Sequence, residues 1–405
     1  MKAREVLSLL DLHLPSRSSR TRALASSHTA DDFRRVAKKK LPKSVFDYVE
    51  GGADEELSLA ANTDSIRQWK FRPRSLVDVS QASTATQIFG RDTSSPIGLA
   101  PTGYTKMLSP LGESAAAQAA ARAGVPYVLS TMATTSIEEL VSNPDVAAAD
   151  HWFQLYVWKD RGITSELISR AQNSGYRVLE IAVDTTVSGR RLRDVKNGFT
   201  IPPKLNFGSI LDIATKPNYW MAMLKNPALE FANVRATESS EGFTIANITK
   251  QFESALTWDD VASIRSLWSG KLAIKGPISP ADALRAKQMG VDGIHLSNHG
   301  GRQLDRLVPP IELVAGVRRA VGPEMGIFVD SGFKHGADVA VAVALGADAA
   351  FVGRAYLWGL VAAGSLGVER VVNLLQSDLL RTMQLMGVRT IAELRELGPE
   401  LLEHF

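Results

Sequence analysis

Eight short apolar segments alternate along this sequence with Ala-rich stretches of helical spacing. Most helical stretches, such as Glu113–Ala123, Ala281–Gln288 and Gly336–Leu345, are closed by a glycine. The apolar segments are Ile97–Ala100, Tyr127–Leu129, Trp152–Tyr156, Val178–Val183, Leu272–Ile274, Gly293–Leu296, Gly326–Val329 and Ala350–Val352. Strand–helix units of roughly thirty residues favour parallel strands joined by right-handed crossovers. Eight such units predict an α/β fold, the (β/α)8 TIM barrel.

The remaining sequence divides into three expected segments. Residues 1–28 are rich in Ser and Arg and predict a loosely ordered extension. Residues 29–70 carry apolar residues at helical spacing, interrupted at Pro42, and predict a helical segment that covers the barrel. The barrel would span residues 71–405. Its fourth loop, at about 185–257, is far longer than a strand–helix connection needs.

Composition excludes several classes of protein. The chain has no cysteine, which rules out disulfides and thiolate metal sites, and we expect no metal. Its 46 basic and 43 acidic residues nearly balance, which argues against nucleic-acid binding. Neither a signal-peptide core nor a long uncharged apolar run occurs. We therefore expect a cytoplasmic protein, or one held peripherally at the inner face of the membrane.

Polar residues follow each of the eight apolar segments, and in α/β barrels the strand ends form the active site. The last two strand ends are rich in small residues and precede helix starts, where backbone N–H groups and the helix dipole favour a phosphate. No G-x-G-x-x-G follows a strand and no Walker A sequence occurs, which argues against a nicotinamide Rossmann site or a P-loop.

One run carries a family resemblance. Leu296–Asp305, which reads LSNHGGRQLD, resembles the signature of the FMN-dependent 2-hydroxy acid dehydrogenases and oxidases, such as lactate dehydrogenase, mandelate dehydrogenase and glycolate oxidase. Supporting segments are Leu41–Lys43, Asp47–Tyr48, Ala100–Gly103, Phe153–Tyr156, Val183–Asp184, Ile274–Gly276 and Phe351–Arg354. The likeness extends from about Asp31 to the C-terminus.

The resemblance implies a role for each matching residue. His299 would take a proton from the substrate, while Arg302 and Tyr48 hold its carboxylate. Tyr156 would contact the reacting hydroxyl, Asp184 would orient His299, and Arg191 would be a second active-site arginine. Lys275 would lie beside the flavin and balance its negative charge. The FMN contacts would come from Pro101, Thr102, Gly103, Ser130, Gln154, Ser297, Asp330, Ser331, Gly332, Lys334, Gly353 and Arg354, together with Lys275.

Departures within the motifs indicate the subtype. Asp330–Gly332 and Gly103 resemble the membrane-associated dehydrogenases, as does the aromatic stretch Tyr219–Leu224. They favour electron transfer to a quinone or similar acceptor, with an O2-using oxidase that releases hydrogen peroxide as the alternative. Met132 leaves room for a longer side chain than that of glycolate. We expect an L-2-hydroxy acid, lactate- or mandelate-like, a homotetramer, and peripheral membrane contact through residues 206–235.

Two other classes of function compete with this hypothesis. A phosphate-binding isomerase or aldolase would explain the last two strand ends but gives no role to His299 and Arg302. A non-catalytic flavin-binding protein would keep the cofactor without the chemistry. His295 lies four residues before His299, but the two span a strand and its exit with no third ligand, so we interpret His295 as buried packing.

Overall fold

The eight apolar segments form eight parallel strands of a closed barrel in a computed structural model, which describes residues 18–147, 149–198, 215–224, 230–234 and 251–405. The barrel strands are β4 (Ile97–Leu99), β5 (Tyr127–Ser130), β6 (His151–Leu155), β7 (Val178–Ala182), β8 (Lys271–Gly276), β9 (Gly293–Leu296), β10 (Gly326–Val329) and β11 (Ala349–Val352). Closure pairs β11 with β4, in the order β10–β11–β4–β5–β6–β7–β8–β9. The predicted TIM barrel is confirmed.

Among the described residues, four short strands lie outside the barrel. The strand β1 (Trp69–Phe71) pairs antiparallel with β12 (Leu402–His404), and β2 (Thr86–Ile88) pairs antiparallel with β3 (Arg91–Thr93). The α-helices run over Ser19–Ser26, Ala30–Lys40, Lys43–Glu50, Leu57–Gln68, Gly112–Ala123, Ile137–Ser142, Pro144–Ala147, Arg161–Asn173, Leu192–Lys196, Pro217–Leu224, Trp258–Leu267, Pro280–Gln288, Pro310–Val321, Gly336–Ala344, Arg354–Ala363, Ser365–Leu385 and Ile391–Leu397. Short 3-10 turns occur at Thr105–Met107 and Gly398–Leu401.

Aromatic side chains close the lower end of the barrel. Trp152, Phe328 and Phe351 are fully buried there, and Phe89 of the β2–β3 turn packs edge-on against Phe328 at 4.8 Å between ring centroids. Gly98 makes room for this packing, because a Cβ at that position would lie 2.3 Å from the Phe351 ring. Apolar side chains thus fill the lower interior, and a ligand has space only toward the carboxyl ends of the strands.

The N-terminal helices lie against the barrel. The Ala30–Lys40 helix begins at a capping box between Thr29 and Asp32, as the acidic residues there predict, and packs on the Arg354–Ala363 helix. Within the segment expected to be loosely ordered, Ser19–Ser26 is helical, because Ala23 is buried against the same neighbour. Residues 1–17 lie outside the described part.

The long fourth loop contains the helices Leu192–Lys196 and Pro217–Leu224. Its residues 199–214, 225–229 and 235–250 lie outside the described residues, and with them much of the segment predicted to touch a membrane. Among the described helices, each falls short of the length or apolarity that crossing a bilayer requires.

Candidate active site

A cavity of about 500 Å³ opens at the carboxyl ends of the barrel strands. The structure brings all the predicted site residues to it. Those on its wall are Tyr48, Pro101, Thr102, Gly103, Ser130, Gln154, Tyr156, Arg191, Lys275, His299, Arg302, Asp330, Ser331, Gly332, Lys334, Gly353 and Arg354. Asp184 and Ser297 lie directly behind the wall, where they hydrogen-bond to His299.

His299 projects from a turn in which three consecutive residues have left-handed backbone. Its φ is 58°, and Gly300 and Gly301 follow at 65° and 74°. A non-glycine residue in this region is strained, and such strain concentrates at functional sites. Because the next two residues also need positive φ, glycine is the residue that fits both positions.

The His299 ring lies between a carboxylate and a phenol. Its Nδ1 is 3.1 Å from Asp184 Oδ2, and its Nε2 is 3.5 Å from the Tyr156 hydroxyl. Pairing with the carboxylate favours the tautomer with the proton on Nδ1 and leaves the Nε2 lone pair toward the cavity. Burial raises the pKa of Tyr156 above its usual value, with a further contribution from Asp184, so this phenol stays protonated at neutral pH.

Two arginines flank the ring of Tyr48. The guanidinium carbon of Arg302 is 5.1 Å from the ring centroid and that of Arg191 is 5.7 Å. Arg302 Nη1 also donates to the carbonyls of Tyr48, at 2.6 Å, and Gly51, at 2.9 Å. Burial, with repulsion from Arg191, lowers the pKa of Arg302 to about 9. Two neighbouring cations of this kind favour an anion between them, and guanidinium matches a carboxylate bidentately.

Lys275 lies under the cavity and is held by two oxygen atoms. Its Nζ donates to Ser297 Oγ and to Asp330 Oδ2, each at 2.6 Å. Burial alone would lower the pKa of Lys275, but the carboxylates of Asp330, Asp184 and Glu180 together outweigh burial and raise the pKa above its usual value. Burial likewise opposes ionisation of Asp330, yet Lys275 and His295 bring the Asp330 pKa well below its usual range. Both groups are therefore charged at neutral pH.

The expected phosphate end differs from the sequence prediction in one respect. The backbone N–H groups of Lys334 and His335 donate to Asp338 at 2.8 and 2.9 Å, and that of Gly336 donates to Asp378 at 2.8 Å. Carboxylates of the chain thus already cap this helix start, which the sequence analysis expected to be exposed. The next helix, Arg354–Ala363, begins at Gly353 without a side-chain cap, so an anion would find exposed N–H groups there.

A sequence profile of the FMN-dependent dehydrogenases matches residues 37–402. The chain belongs to this family. It is 41% identical to a putative L-lactate dehydrogenase of Mycobacterium tuberculosis, over 98% of this chain and 97% of the relative. It is 39% identical to the (S)-mandelate dehydrogenase of Pseudomonas putida, over 92% and 93%. The structure of the monotopic membrane protein (S)-mandelate dehydrogenase superposes with a TM-score of 0.88 at 37% identity, covering 94% of this chain and all of that one.

Membership confirms the predicted family, the FMN cofactor and the assignment as an oxidoreductase. The residues present fit an isoalloxazine ring. Gln154 Oε1 accepts from Ser130 at 3.0 Å, while Gln154 Nε2 is buried without a hydrogen-bond partner among the described residues. A buried donor that faces the cavity requires an acceptor, which flavin oxygen and nitrogen atoms provide. At Gly353 a Cβ would meet only Thr102, at 4.0 Å, so this backbone borders open space.

Arg354, expected to bind phosphate, contacts the N-terminal segment. Its guanidinium donates to the carbonyls of Val49, Gly51 and Gly300 at 2.8 to 2.9 Å. A guanidinium has five N–H groups, so these three bonds leave two for a phosphate. Lys334 Nζ lies 3.6 Å from Asp31, a half-exposed pair. Both residues border the cavity, and their role toward phosphate stays a prediction.

The sequence analysis assigned no function to several residues that shape the site. The side-chain amides of Asn298 and Asn62 hydrogen-bond to each other in both directions, at 2.9 and 2.6 Å. This pair joins the turn that carries His299 to the Leu57–Gln68 helix. Asp305 accepts from the backbone N–H groups at the start of that helix, 2.7 Å from Ser58 N. Gln303 bridges to the carbonyl of Asp184 at 2.7 Å. Gln303 and Asp305 lie within the recognised run, whereas nothing in the sequence marks Asn62.

His295 is buried, as predicted, but its neighbours are not only apolar. Nδ1 lies 2.8 Å from Glu180 Oε1, and Nε2 lies 3.3 Å from Asp330 Oδ2. Interpretation of His295 as packing was therefore incomplete, because Glu180 was hidden within an apolar strand segment.

Proposed function

We propose that the protein oxidises an L-2-hydroxy acid, lactate- or mandelate-like, to the 2-oxo acid and passes the electrons to a quinone or similar acceptor. The observation that carries this proposal is the position of His299, whose Nε2, beside the Tyr156 hydroxyl, faces the same cavity as the Arg302–Tyr48–Arg191 group. One side of the cavity thus offers a base, and the other an anion site. A 2-hydroxy acid can use both features at once, because its hydroxyl would contact the base while its carboxylate binds the anion site.

Each side chain has a defined task in the proposed reaction. The substrate carboxylate binds Arg302 and Tyr48, with Arg191 as a second arginine beside them, which fixes the reacting carbon relative to His299. His299 Nε2 takes the hydroxyl proton, and Asp184 stabilises the imidazolium that forms. The Tyr156 hydroxyl donates a hydrogen bond to the oxygen of the reacting substrate hydroxyl. Bound FMN would accept the two electrons and the hydrogen that leave the substrate α-carbon as its C–H bond breaks and the C=O bond forms. Lys275 places a positive charge at the bottom of the cavity, where it would stabilise the negative charge that the flavin gains on reduction.

The residues expected to hold FMN divide into two groups. Ser130, Gln154, Ser297 and Lys275, with the backbone of Pro101–Gly103, would hold the ring. Ribityl and phosphate would lie along Asp330, Ser331, Gly332, Lys334, Gly353 and Arg354.

Lactate and mandelate are the substrates to test first. The relatives named for them are 41% and 39% identical to this chain. Met132, Phe231 and Phe252 border the cavity, and Phe252 stacks on Tyr156 at 4.7 Å between centroids. These apolar walls suit a side chain larger than that of glycolate.

Quinone use, membrane contact and a tetrameric state are further parts of this proposal. The Pro217–Leu224 helix supports membrane contact, because Met221 and Leu224 are 51% and 83% exposed. Tyr219 of this helix donates to the carbonyl of Met107 at 2.8 Å, and Met107 borders the cavity. A helix held there would bring the cavity near a membrane that carries the quinone. The assembly state is testable by light scattering on the eluted protein.

An anaerobic visible spectrum of the FMN-loaded protein, taken before and after L-lactate and then L-mandelate, tests the reaction. Bleaching of the flavin band by either acid supports the proposal, and the faster of the two reports the size of the pocket. A flavin band unchanged by both acids would contradict it.

The acceptor is tested separately, by turnover in air with and without a soluble quinone. Strong stimulation by quinone supports the dehydrogenase. Equal turnover, with one hydrogen peroxide formed for each substrate consumed, would favour the oxidase.

A further inference from the structure

Four ionisable side chains form a continuous chain through the core of the barrel. Lys275 of β8 contacts Asp330 after β10, Asp330 contacts His295 of β9, and His295 contacts Glu180 of β7. The three separations are 2.6, 3.3 and 2.8 Å. Lys275 borders the cavity, whereas His295 and Glu180 are fully buried and the His295 ring contacts Phe351, so the four side chains extend from the cavity into the core.

These four side chains are shielded from bulk water, except where Lys275 and Asp330 border the cavity. Side chains of His295 and Glu180 are 0% exposed, and those of Lys275 and Asp330 are 7% and 9% exposed. The other groups that face the His295 ring are aromatic: Phe351 lies 4.8 Å away and Phe328 lies 6.3 Å away, between centroids. Charges in such surroundings persist only when opposite charges balance them.

The charges of the neighbouring side chains determine whether His295 is a neutral imidazole or an imidazolium. With a neutral imidazole, Lys275 would face two carboxylates and the core would hold one uncompensated negative charge. With an imidazolium, signs alternate along the chain and the sum is zero. Burial and the nearby Lys275 charge would lower the pKa of His295, but Glu180 and Asp330 together outweigh both and raise it. Glu180 Oε2 has no hydrogen-bond partner among the described residues, which leaves His295 as the cation that stabilises this carboxylate.

We propose that His295 is an imidazolium and acts as a positioning residue for Lys275: it shares the Asp330 carboxylate, and its charge adds to that of Lys275 under the bound flavin. Asp330 Oδ2 is the shared atom: it accepts a hydrogen bond from Lys275 Nζ at 2.6 Å, and it lies at ion-pair distance, 3.3 Å, from His295 Nε2, which has no hydrogen-bond partner of its own among the described residues. A second cation behind the carboxylate leaves more of the lysine charge available to the flavin. The reduction potential of bound FMN would therefore depend on a residue that touches neither substrate nor cofactor.

This inference rests on the proposed function only in taking FMN to lie above Lys275. The first experiment is independent of both FMN and substrate: a nitrogen NMR spectrum of protein labelled in its histidine side chains, with the His295 signals assigned by their loss in His295→Gln. We expect both ring nitrogens to be protonated at neutral pH. One bare ring nitrogen would overturn the proposal.

The second experiment measures the potential of bound FMN against reference dyes in wild type, His295→Gln, Glu180→Gln and the double variant. We expect His295→Gln to shift the potential to more negative values, because Glu180 and Asp330 then share one cation. The double variant should recover part of the shift, since the uncompensated carboxylate is gone.

His151→Gln is the matched control. His151 is also a buried histidine, with Nε2 hydrogen-bonded to the carbonyl of Val146, but it lies outside the chain of four charges. Its replacement should lower the unfolding temperature without changing the potential. Equal potentials in wild type and His295→Gln, or equal shifts in His295→Gln and His151→Gln, would overturn the role of His295. Such a result would leave 2-hydroxy acid oxidation unaffected, and failure of oxidation would leave the potentials measurable with dyes.

Discussion

At the scale of single residues, His299 is held by Ser297 and Asp184 in a strained conformation. Its N–H donates to Ser297 Oγ at 3.0 Å, its Nδ1 faces Asp184, and Nε2 faces the cavity. We expect His299→Gln to keep FMN but to slow flavin reduction by about a hundred- to ten-thousand-fold, the usual contribution of a general base. Stopped-flow absorbance under anaerobic conditions measures this rate. His28→Gln, at an exposed histidine, is the control. Near-normal reduction in His299→Gln would show that another group is the base.

A substitution at Arg302 tests whether this residue binds the substrate carboxylate. A lysine keeps the charge but loses the planar fork, so Arg302→Lys should lose one charge-assisted hydrogen bond to the substrate carboxylate. The expected cost is about 1.5–3 kcal/mol, or roughly ten- to a hundredfold in kcat/KM. Arg306→Lys is the matched control, because Arg306 is 74% exposed and pairs with Glu55 on the surface. Equal kcat/KM in the two variants would exclude a bidentate contact at Arg302.

Site residues were predictable where they lie together in one short sequence motif or at the end of a predicted strand. Leu296–Asp305 gives His299 and Arg302 together, and strand ends give Lys275 and Asp330. The partner of His295 was not predictable, since Glu180 is 115 positions away and lies within an apolar segment. Only barrel closure decides which inward side chains meet. For the same reason, nothing in the sequence shows that Arg302 and Arg354 bind backbone carbonyls of the N-terminal segment.

At the scale of elements, the Lys43–Glu50 helix is joined to the barrel by its carboxyl end. Arg302 and Arg354 both donate to carbonyls at this end, where the helix dipole favours positive charge. Apolar periodicity and Pro42 predicted the helices on either side of residues 41–42. Their attachment could not be predicted, because it depends on two arginines that lie 251 and 303 residues further along the chain than Gly51.

Gly301 tests a second junction, between the His299 turn and the Leu57–Gln68 helix. Its φ is 74°, and a Cβ there would lie 2.7 Å from the backbone nitrogen of Leu59, in the Leu57–Gln68 helix. We expect Gly301→Ala to cost about 1–3 kcal/mol for the left-handed backbone and a further 1–3 kcal/mol for the clash. It should also lower kcat, because Arg302 follows directly.

Gly175→Ala separates the two costs. Gly175 has φ 78°, and a Cβ added there would meet nothing within 4 Å, so alanine at this position carries only the backbone cost. Chemical denaturation of both variants gives the free energies of unfolding. If Gly301→Ala is no more destabilised than Gly175→Ala, the contact with the Leu57–Gln68 helix does not constrain the catalytic turn.

At the scale of the whole molecule, exposed apolar residues and basic residues meet on one side. Lys216 Nζ donates to the carbonyl of Lys39 at 2.8 Å, which brings the Pro217–Leu224 helix beside the basic end of the Ala30–Lys40 helix. Lys38 and Lys39 are exposed there, as are Met221 and Leu224. A surface with apolar side chains next to lysines suits the interface of an anionic bilayer.

Membrane contact is therefore testable without loss of the active site. We expect the protein to float with anionic liposomes at low salt, and less so at high salt because the lysine contribution is screened. The double variant Met221→Glu/Leu224→Glu should stay in the dense fraction, since it replaces two exposed apolar side chains by charges that the bilayer repels. Leu385→Glu is the matched control: Leu385 is 72% exposed at the end of another helix, and its variant should float like wild type. Wild-type protein that stays unbound at low salt would refute membrane contact, and a double variant that still floats would place the contact elsewhere on the surface.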